Sequence, residues 1–311
     1  MSIANTVKRG GRLSQLIQAQ SRLKLLKPSR ILSPSEFNEN HLSKAKPGLF
    51  KGLISEAQSP YLWPACQKWK GEENEPLSGL REVERLQNAT VDVEVAPIGR
   101  GYGDNVKRQE GNDDTLEWTQ LRMPFSIFQD AFIDGKIPWN NNNTQSSQSD
   151  LVGYVAQQDL FEIAPILTEH CPTLPHSISG KREANEQWRR NLWIGGAGTF
   201  TPIHRDPYEN LFAQIVGRKR VHIFPPNVAD QLYLFDRSSR QSNTSSIPTE
   251  EPLLDLNSDD LDRFPLLQQA IQHPEAACAI LEPGDILYIP QGFYHCIASL
   301  SISASANAWF R

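Results

Sequence analysis

Cysteine is scarce in this sequence, and no two cysteines form a CxxC pair. The 311 residues include four of them: Cys66, Cys171, Cys278 and Cys296. This spacing argues against a zinc knuckle or a disulfide framework. No apolar run approaches the roughly 18 to 20 residues that span a bilayer, and a hydrophobic secretion signal is also missing. These absences predict an intracellular protein of the nucleus or cytoplasm, without a membrane segment.

The sequence also lacks an overall basic excess. Its 31 Lys and Arg residues face 36 Asp and Glu, which gives a net charge of −5. Residues 1–35 contain seven basic residues and no acidic one, so the rest of the chain has 24 basic and 36 acidic residues, a balance of −12. Duplex nucleic acid requires a basic surface, which speaks against it as a partner. An acidic globular part is better suited to a basic segment of a protein substrate.

The charge asymmetry sets residues 1–45 apart as a basic amino-terminal arm. Apolar residues recur in it at near-helical spacing: Leu13, Leu16, Ile17 and Leu23. Mitochondrial presequences and solvated helical arms share this pattern, so a targeting segment with a mitochondrial location and a flexible arm are both open interpretations. Residues 46–311 are predicted to form one domain, with helices and strands to about residue 150 and the main β core in 151–311.

Short strand patterns separated by Gly and Pro turns dominate the second half of the chain. They are predicted at 192–195, 211–216, 220–224, 286–289 and 302–310. Many short strands with such turns are typical of a jelly-roll barrel. The predicted fold is therefore mostly β, with flanking helices around a jelly-roll core. Two polar stretches, Asn140–Asp150 and Ser238–Glu251, are predicted to be flexible loops.

Two histidines and an aspartate carry the candidate chemistry. His204 and Asp206 are two residues apart in an extended segment, so their side chains point to the same side. His295 follows a second strand and turn, Gly284–Tyr294. Two histidines and one carboxylate form the facial triad of non-haem Fe(II) oxygenases, which leaves positions open for cosubstrate and dioxygen. The sequence predicts an Fe(II) site at these three residues.

Lys219 is the candidate partner of an anionic cosubstrate. It lies 15 residues after His204, and its neighbours on one face of the strand, Val221 and Ile223, are apolar. A buried ammonium group needs an anionic partner, and the distal carboxylate of 2-oxoglutarate would supply one. An exposed lysine in the basic turn Arg218–Arg220 is the alternative that the sequence leaves open.

These motifs resemble those of the JmjC hydroxylases, oxygenases with a double-stranded β-helix (jelly-roll, cupin) core. The resemblance covers roughly residues 45–311 and is carried by four segments: Gly153–Gln157, Thr201–Pro207, Asn210–Arg220 and Gly284–His295. It implies that Fe(II), 2-oxoglutarate and O2 are the cofactors. The implied site residues are His204, Asp206 and His295 for iron, Tyr154, Thr201, Asn210, Lys219 and Asn307 for the cosubstrate, and Gln157 and Trp193 for the substrate.

The resemblance implies a dioxygenase that hydroxylates a protein side chain, an arginyl or similar residue in a basic segment. Three alternatives stay open: an N-methyl-lysine demethylase with the same chemistry, a tRNA-modifying hydroxylase, and a non-catalytic JmjC scaffold. The acidic balance speaks against the RNA enzyme. The complete set of iron ligands together with Lys219 speaks against the scaffold. The oligomeric state is not predicted by any of these patterns.

Overall fold

A computed structural model describes residues 3–30, 32–72, 75–102, 118–137, 151–178, 187–256 and 260–311. The strands are β1 Pro28–Ser29, β2 Gly48–Phe50, β3 Gly71–Glu72, β4 Glu75–Pro76, β5 Thr90–Pro97, β6 Thr119–Pro124, β7 Leu151–Gln158, β8 Gln187–Gly195, β9 Phe200–Arg205, β10 Glu209–Val216, β11 Lys219–Phe224, β12 Ala277–Leu281, β13 Ile286–Ile289, β14 Tyr294–Ser299 and β15 Ser303–Phe310. The five strands predicted in the second half are therefore confirmed. The predicted loop Asn140–Asp150 lies outside the described residues.

The helices are short and flank the strands. They are α1 Ile3–Gln18, α2 Pro34–Phe37, α3 Ala65–Lys68, α4 Glu84–Gln87, α5 Phe125–Phe128, α6 Leu160–Ile163, α7 Ile166–His170, α8 Asp260–Arg263 and α9 Leu267–Gln272. Further single helical turns cover Asn38–Leu42, Ser78–Glu82, Gln129–Ile133, Pro175–Ile178, Pro226–Gln231 and Glu251–Leu253. In the described part of the chain, no helix is both long and apolar enough to cross a membrane.

Two sheets form the body of the protein. The larger has the strand order β1-β2-β13-β10-β15-β8-β7-β5-β6, and the smaller has the order β12-β11-β14-β9. One apolar cluster contains residues of both sheets, such as Phe212 and Leu287 from the larger and Val221 and Ile297 from the smaller. Two further clusters cover the outer faces, where the helices pack. The prediction of a mostly β fold with a jelly-roll core and flanking helices is confirmed.

A tight turn at Gly217 joins β10 to β11 and so places Lys219 at the start of the smaller sheet. Gly217 has a φ of +76°, a conformation that glycine adopts without strain. A Cβ atom here would lie 2.0 Å from the carbonyl oxygen of Ile302, so any side chain would collide with backbone. The turn therefore requires glycine, as the sequence pattern indicated.

The segment after α1 packs against the outer face of the smaller sheet. Leu16 and Leu23 are buried. The amide of Leu26 donates to the carbonyl oxygen of Cys278 at 2.7 Å, and the amide of Cys278 donates to that of Lys24 at 2.8 Å. Through these bonds the backbone of Lys24 and Leu26 pairs with the edge strand β12. Part of the predicted amino-terminal arm is therefore attached to the smaller sheet. The division of the chain at residue 45 stays a prediction.

Ser238–Glu251 is largely a loop, as predicted, but it is packed against the rest of the protein. Ser245 and Ile247 in this segment are buried. The amide of Ser245 donates to the carbonyl oxygen of Ile203 at 2.7 Å, and the amide of Arg205 donates to that of Asn243 at 3.1 Å. Its polar side chains satisfy backbone groups, as the Ser246 hydroxyl does for the carbonyl oxygen of Tyr233 at 3.0 Å. The segment lies alongside β9, where Thr244 bridges to His204, and it forms part of the cavity wall next to His204.

Candidate metal centre and substrate cavity

Strand pairing brings the three predicted metal ligands together. His204 on β9 lies opposite His295 on β14, and the register of the two strands shifts just beyond this pair, between His295 and Ile297. Asp206 follows the end of β9. One ligand atom from each of the three side chains lies within 4.8 Å of the other two. Nε2 of His204 is 3.9 Å from Oδ1 of Asp206, and Nε2 of His295 is 3.7 Å from Oδ2.

Backbone carbonyl groups fix the orientation of both imidazole rings. Nδ1 of His204 lies 2.8 Å from the carbonyl oxygen of Pro202, and Nδ1 of His295 lies 3.3 Å from that of Phe293. A carbonyl oxygen only accepts, so each Nδ1 carries the hydrogen and each Nε2 presents a lone pair. Burial, followed by the proximity of His204, lowers the pKa of His295 to about 4. His295 is therefore neutral at physiological pH, as a metal ligand must be.

The donor set fits a divalent transition metal. Two imidazole nitrogens and one carboxylate oxygen on one side of a point form the facial arrangement of Fe(II) oxygenases. In the described residues, this is the one group of three or more His, Cys, Asp and Glu side chains that converges in this way. All three members come from the residues that the sequence singled out.

Lys219 is buried, and the alternative of an exposed lysine is wrong. Its exposed fraction is 0%, and its Nζ donates to the Tyr154 hydroxyl at 3.2 Å. Tyr154 is also hydrogen-bonded to Thr201, so these three predicted cosubstrate residues lie together. Burial lowers the pKa of Lys219 to about 7. Among the ion pairs of the described residues, none neutralises this ammonium group, which leaves it available to an anion.

Hydrogen bonds connect the two predicted asparagines to the predicted metal ligand Asp206. Asn210 donates to Oδ2 of Asp206 at 3.4 Å, and Asn307 donates to Oδ1 of Asn210 at 3.2 Å. Oδ1 of Asn307 accepts from Nε1 of Trp193 at 2.9 Å and from Nδ2 of Asn191 at 3.1 Å. Sequence reasoning did not identify Asn191, because its part depends on the pairing of β8 with β15.

A cavity of about 600 Å³ opens next to the predicted metal ligands. His204, Asp206 and Thr201 form part of its lining, together with Gln157 and Trp193, which were predicted near the substrate. Gln157 has a φ of +52° and lies where the register between β7 and β8 shifts. A left-handed conformation is costly for a residue with a side chain and is concentrated at functional sites. Its occurrence in this wall is consistent with a role in binding.

The cavity wall also contains residues that the sequence did not single out: Glu94, Tyr102, Trp118, Tyr208 and Trp309. Glu94 is the notable one, because burial raises the pKa of its carboxyl group to about 7, although the neighbouring Trp118 opposes the change. Because side chains alternate along β5, Glu94 lies on the face of the strand that is opposite to the face of Val93 and Val95. That pattern also describes a solvent-facing acid, so it gave no signal for a site.

Residues 34–311 match the cupin-like domain family. The chain is 31% identical over 278 residues to lysine-specific demethylase 8 of Xenopus tropicalis, covering 89% of this chain and 51% of that protein. It is 29% identical over 292 residues to JmjC domain-containing protein F of Dictyostelium discoideum, covering 89% and 59%. It is 28% identical over 278 residues to Jumonji C domain-containing protein 5 of Drosophila melanogaster, covering 89% and 58%. The chain thus spans about half the length of the curated relatives that it matches.

Proposed function

Because this chain belongs to the cupin-like JmjC domain family, we propose that it is a dioxygenase that hydroxylates a basic side chain of a protein. The cofactors of this family are Fe(II), 2-oxoglutarate and O2, as the sequence predicted. The observation that carries the proposal is the convergence of His204, Asp206 and His295 near a buried lysine without an anionic partner among the described ion pairs.

His204, Asp206 and His295 would hold the iron through two Nε2 atoms and one carboxylate oxygen. When bound, the iron together with 2-oxoglutarate and O2 supplies the oxidising power that inserts an oxygen atom into a C–H bond. The protein's part is to present the ligands in fixed positions. The carbonyl groups of Pro202 and Phe293 hold the two imidazole rings in place. Hydrogen-bond partners of this kind commonly orient the histidine ligands of a metal.

Lys219, Tyr154 and Thr201 would bind the far carboxylate of 2-oxoglutarate. Lys219 offers a positive charge in a site shielded from water, where a charge-assisted hydrogen bond is strong. The hydroxyl groups of Tyr154 and Thr201 lie within the same hydrogen-bonded group and would add donors. The pairing would also remove the cost of an unpaired buried ammonium group.

The position of Glu94 supports the proposal that the substrate side chain is a cation. Its carboxyl group faces the cavity that His204 and Asp206 line, and its raised pKa reflects burial without a cation beside it. An arginine or lysine side chain would provide that cation, and the aromatic rings of Trp118 and Tyr102 would cover its apolar stem. The balance of −12 outside residues 1–35 favours a basic segment around the target residue.

Demethylation of an N-methyl-lysine is the second candidate, and the name of the Xenopus tropicalis relative, lysine-specific demethylase 8, favours it. The same oxidation at an N-methyl carbon would release formaldehyde, whereas oxidation at a side-chain methylene leaves a stable alcohol. Glu94 favours hydroxylation, because a carboxylate binds best to a cation that offers N–H donors, and each methyl group on a lysine removes one of these donors. A tRNA substrate and a non-catalytic scaffold are further outcomes that an experiment can identify.

The test uses the full chain loaded with Fe(II), 2-oxoglutarate and ascorbate in air. Arginine- and lysine-containing basic peptides are supplied in unmethylated and methylated forms, and succinate, formaldehyde and peptide mass are followed. We expect succinate and a peptide heavier by one oxygen atom from an unmethylated form. Formaldehyde from methylated peptides alone would establish the demethylase instead. Binding of peptide without any succinate would support the scaffold.

A further inference from the structure

Trp193 stands at the start of a chain of hydrogen bonds that ends on the metal ligand Asp206. We propose that Trp193 is a positioning residue, which sets the orientation of the Asp206 carboxylate through Asn307 and Asn210. The inference rests on the proposed metal centre and extends it to a side chain in the cavity wall. It gives Trp193 a function beyond the substrate contact predicted from the sequence.

We call this series of hydrogen bonds, from Trp193 through Asn307 and Asn210 to Asp206, the relay. The donor and acceptor at its two ends determine the direction of every bond in it. The indole nitrogen of Trp193 can only donate, so Asn307 must turn its Oδ1 toward it, across 2.9 Å. Nδ2 of Asn307 then faces Asn210, which must present its own Oδ1, across 3.2 Å. This leaves Nδ2 of Asn210 for Asp206, a carboxylate that only accepts, at 3.4 Å. The unambiguous donor and acceptor at the ends therefore fix both amide orientations.

Burial keeps the two amides in these orientations. Asn210 and Asn307 are each 3% exposed, so water offers them little alternative bonding. Oδ1 of Asn307 also accepts from Nδ2 of Asn191 at 3.1 Å, and rotation of the Asn307 amide would break both donor contacts at once. A buried polar group without a partner is costly, which disfavours the reversed arrangement.

Trp193 also connects this relay to the substrate side of the site. Its side chain lines the cavity beside His204 and Asp206, and its ring lies 6.0 Å from that of Tyr154 between centroids. Trp193 thus contacts the cavity on one side, lies near Tyr154, whose hydroxyl group is bound to Lys219, and is connected through hydrogen bonds to Asp206. Trp193→Phe removes the N–H donor together with part of the ring, so the loss of volume in the cavity wall requires a control of its own.

The chain offers a matched control for that change. Trp309 lines the same cavity, but its indole Nε1 is buried without a hydrogen-bond partner in the described part of the protein. Trp193→Phe and Trp309→Phe therefore remove the same atoms from the same wall. Only Trp193→Phe interrupts the hydrogen bonds that lead to Asp206.

The experiment measures Co(II) binding in place of Fe(II), by titration calorimetry and by the visible absorption of the bound ion. Neither readout requires turnover. We expect Trp193→Phe to weaken Co(II) affinity by about tenfold, as the loss of an outer partner typically does, and to change the visible spectrum. Trp309→Phe should leave both unchanged. Asn307→Ala should reproduce the effect of Trp193→Phe, and the double variant should be no weaker than Asn307→Ala, because the two residues act through one path.

Wild-type affinity and spectrum in Trp193→Phe, or equal changes in the two tryptophan variants, would overturn the relay while leaving the metal centre in place. If Trp193→Phe unfolds, as circular dichroism would report, the comparison of Asn307→Ala with the wild type decides the same question. A wild-type protein that binds no Co(II) would instead overturn the metal centre, and the relay with it.

Discussion

His204 and His295 lie opposite each other on the antiparallel strands β9 and β14, with their ring centroids 4.3 Å apart. Both strands belong to a sheet whose two faces are covered by apolar clusters. The positions of the rings are therefore set by strand register and packing.

Asp206→Ala should consequently lose the metal but keep the fold. We expect no bound Fe(II) after reconstitution, no succinate formation, and a thermal unfolding midpoint close to that of the metal-free wild type. Elemental analysis and calorimetric melting provide the two measurements. Asp255→Ala, which removes an exposed acid, is the control and should bind metal normally. Turnover by Asp206→Ala would exclude this aspartate as a ligand.

The affinity for 2-oxoglutarate should fall as the pH rises above 7. The pKa of Lys219 is lowered to about 7 by burial, and a bound carboxylate would raise it again. Binding above pH 7 therefore takes up a proton, and the Kd should rise by up to about tenfold per pH unit in that window. Titration calorimetry at pH 8 in buffers of different ionisation enthalpy should detect nearly one proton taken up. A pH-independent Kd would mean that another group binds the carboxylate.

Lys219→Met, similar in volume but without charge, should bind 2-oxoglutarate weakly at every pH. Loss of a buried charge partner typically costs about 2 to 5 kcal/mol, which corresponds to a rise in Kd of roughly 30-fold or more. Metal affinity, measured in the absence of the cosubstrate, should be unchanged, because Lys219 is hydrogen-bonded to Tyr154 rather than to a metal ligand. Equal losses in both affinities would indicate a damaged fold instead.

Glu94→Gln should impair the use of basic peptides without affecting the cosubstrate. The KM for an arginine- or lysine-containing peptide should rise by at least about tenfold, since a desolvated charge pair is lost, whereas the KM for 2-oxoglutarate stays constant. Asp92→Asn is the control on the same face of β5. Its carboxylate pairs with Arg122 at the surface, so peptide kinetics should not change. An unaffected peptide KM in Glu94→Gln would remove the basis for a cationic substrate side chain.

Glu250→Ala should destabilise the protein strongly. Glu250 accepts from Nε and Nη2 of Arg220 at 2.7 and 2.8 Å, and both side chains are almost fully buried, at 4% and 2% exposure. The change leaves a guanidinium group buried without its partner, at a cost of about 3 to 5 kcal/mol. The exposed pair Arg218 and Glu282 is the control, and Glu282→Ala should cost less than about 1 kcal/mol. Urea unfolding measures both, and similar losses would contradict the burial of the pair.

Much of the site could be predicted because its signals are local. The two-residue spacing of His204 and Asp206 places both side chains on one side of an extended segment, and the apolar neighbours of Lys219 indicate that it points inward. Each inference uses only the period of an extended chain. The fold prediction likewise rested on strand lengths and turns, which are local properties.

What the sequence could not predict depends on contacts between distant strands. Glu94 reaches the cavity because β5 pairs with β7, and the pattern of β5 alone also fits an acid in solvent. The order of Trp193, Asn307 and Asn210 follows from the registers of β8, β15 and β10. The segment Ser238–Glu251 is ordered by bonds to the backbone of β9 and of residues 232–233, and a polar composition gives no information about such partners.

The most direct test of the proposed activity is to follow a basic peptide with the Fe(II)-loaded chain and 2-oxoglutarate under isotopically heavy dioxygen. We predict that the peptide gains one heavy oxygen atom on an arginine or lysine side chain, with one succinate formed for each modified peptide. Asp206→Ala should yield neither product. An unmodified peptide beside continued succinate formation, or an oxygen atom that originates from water, would contradict the proposal.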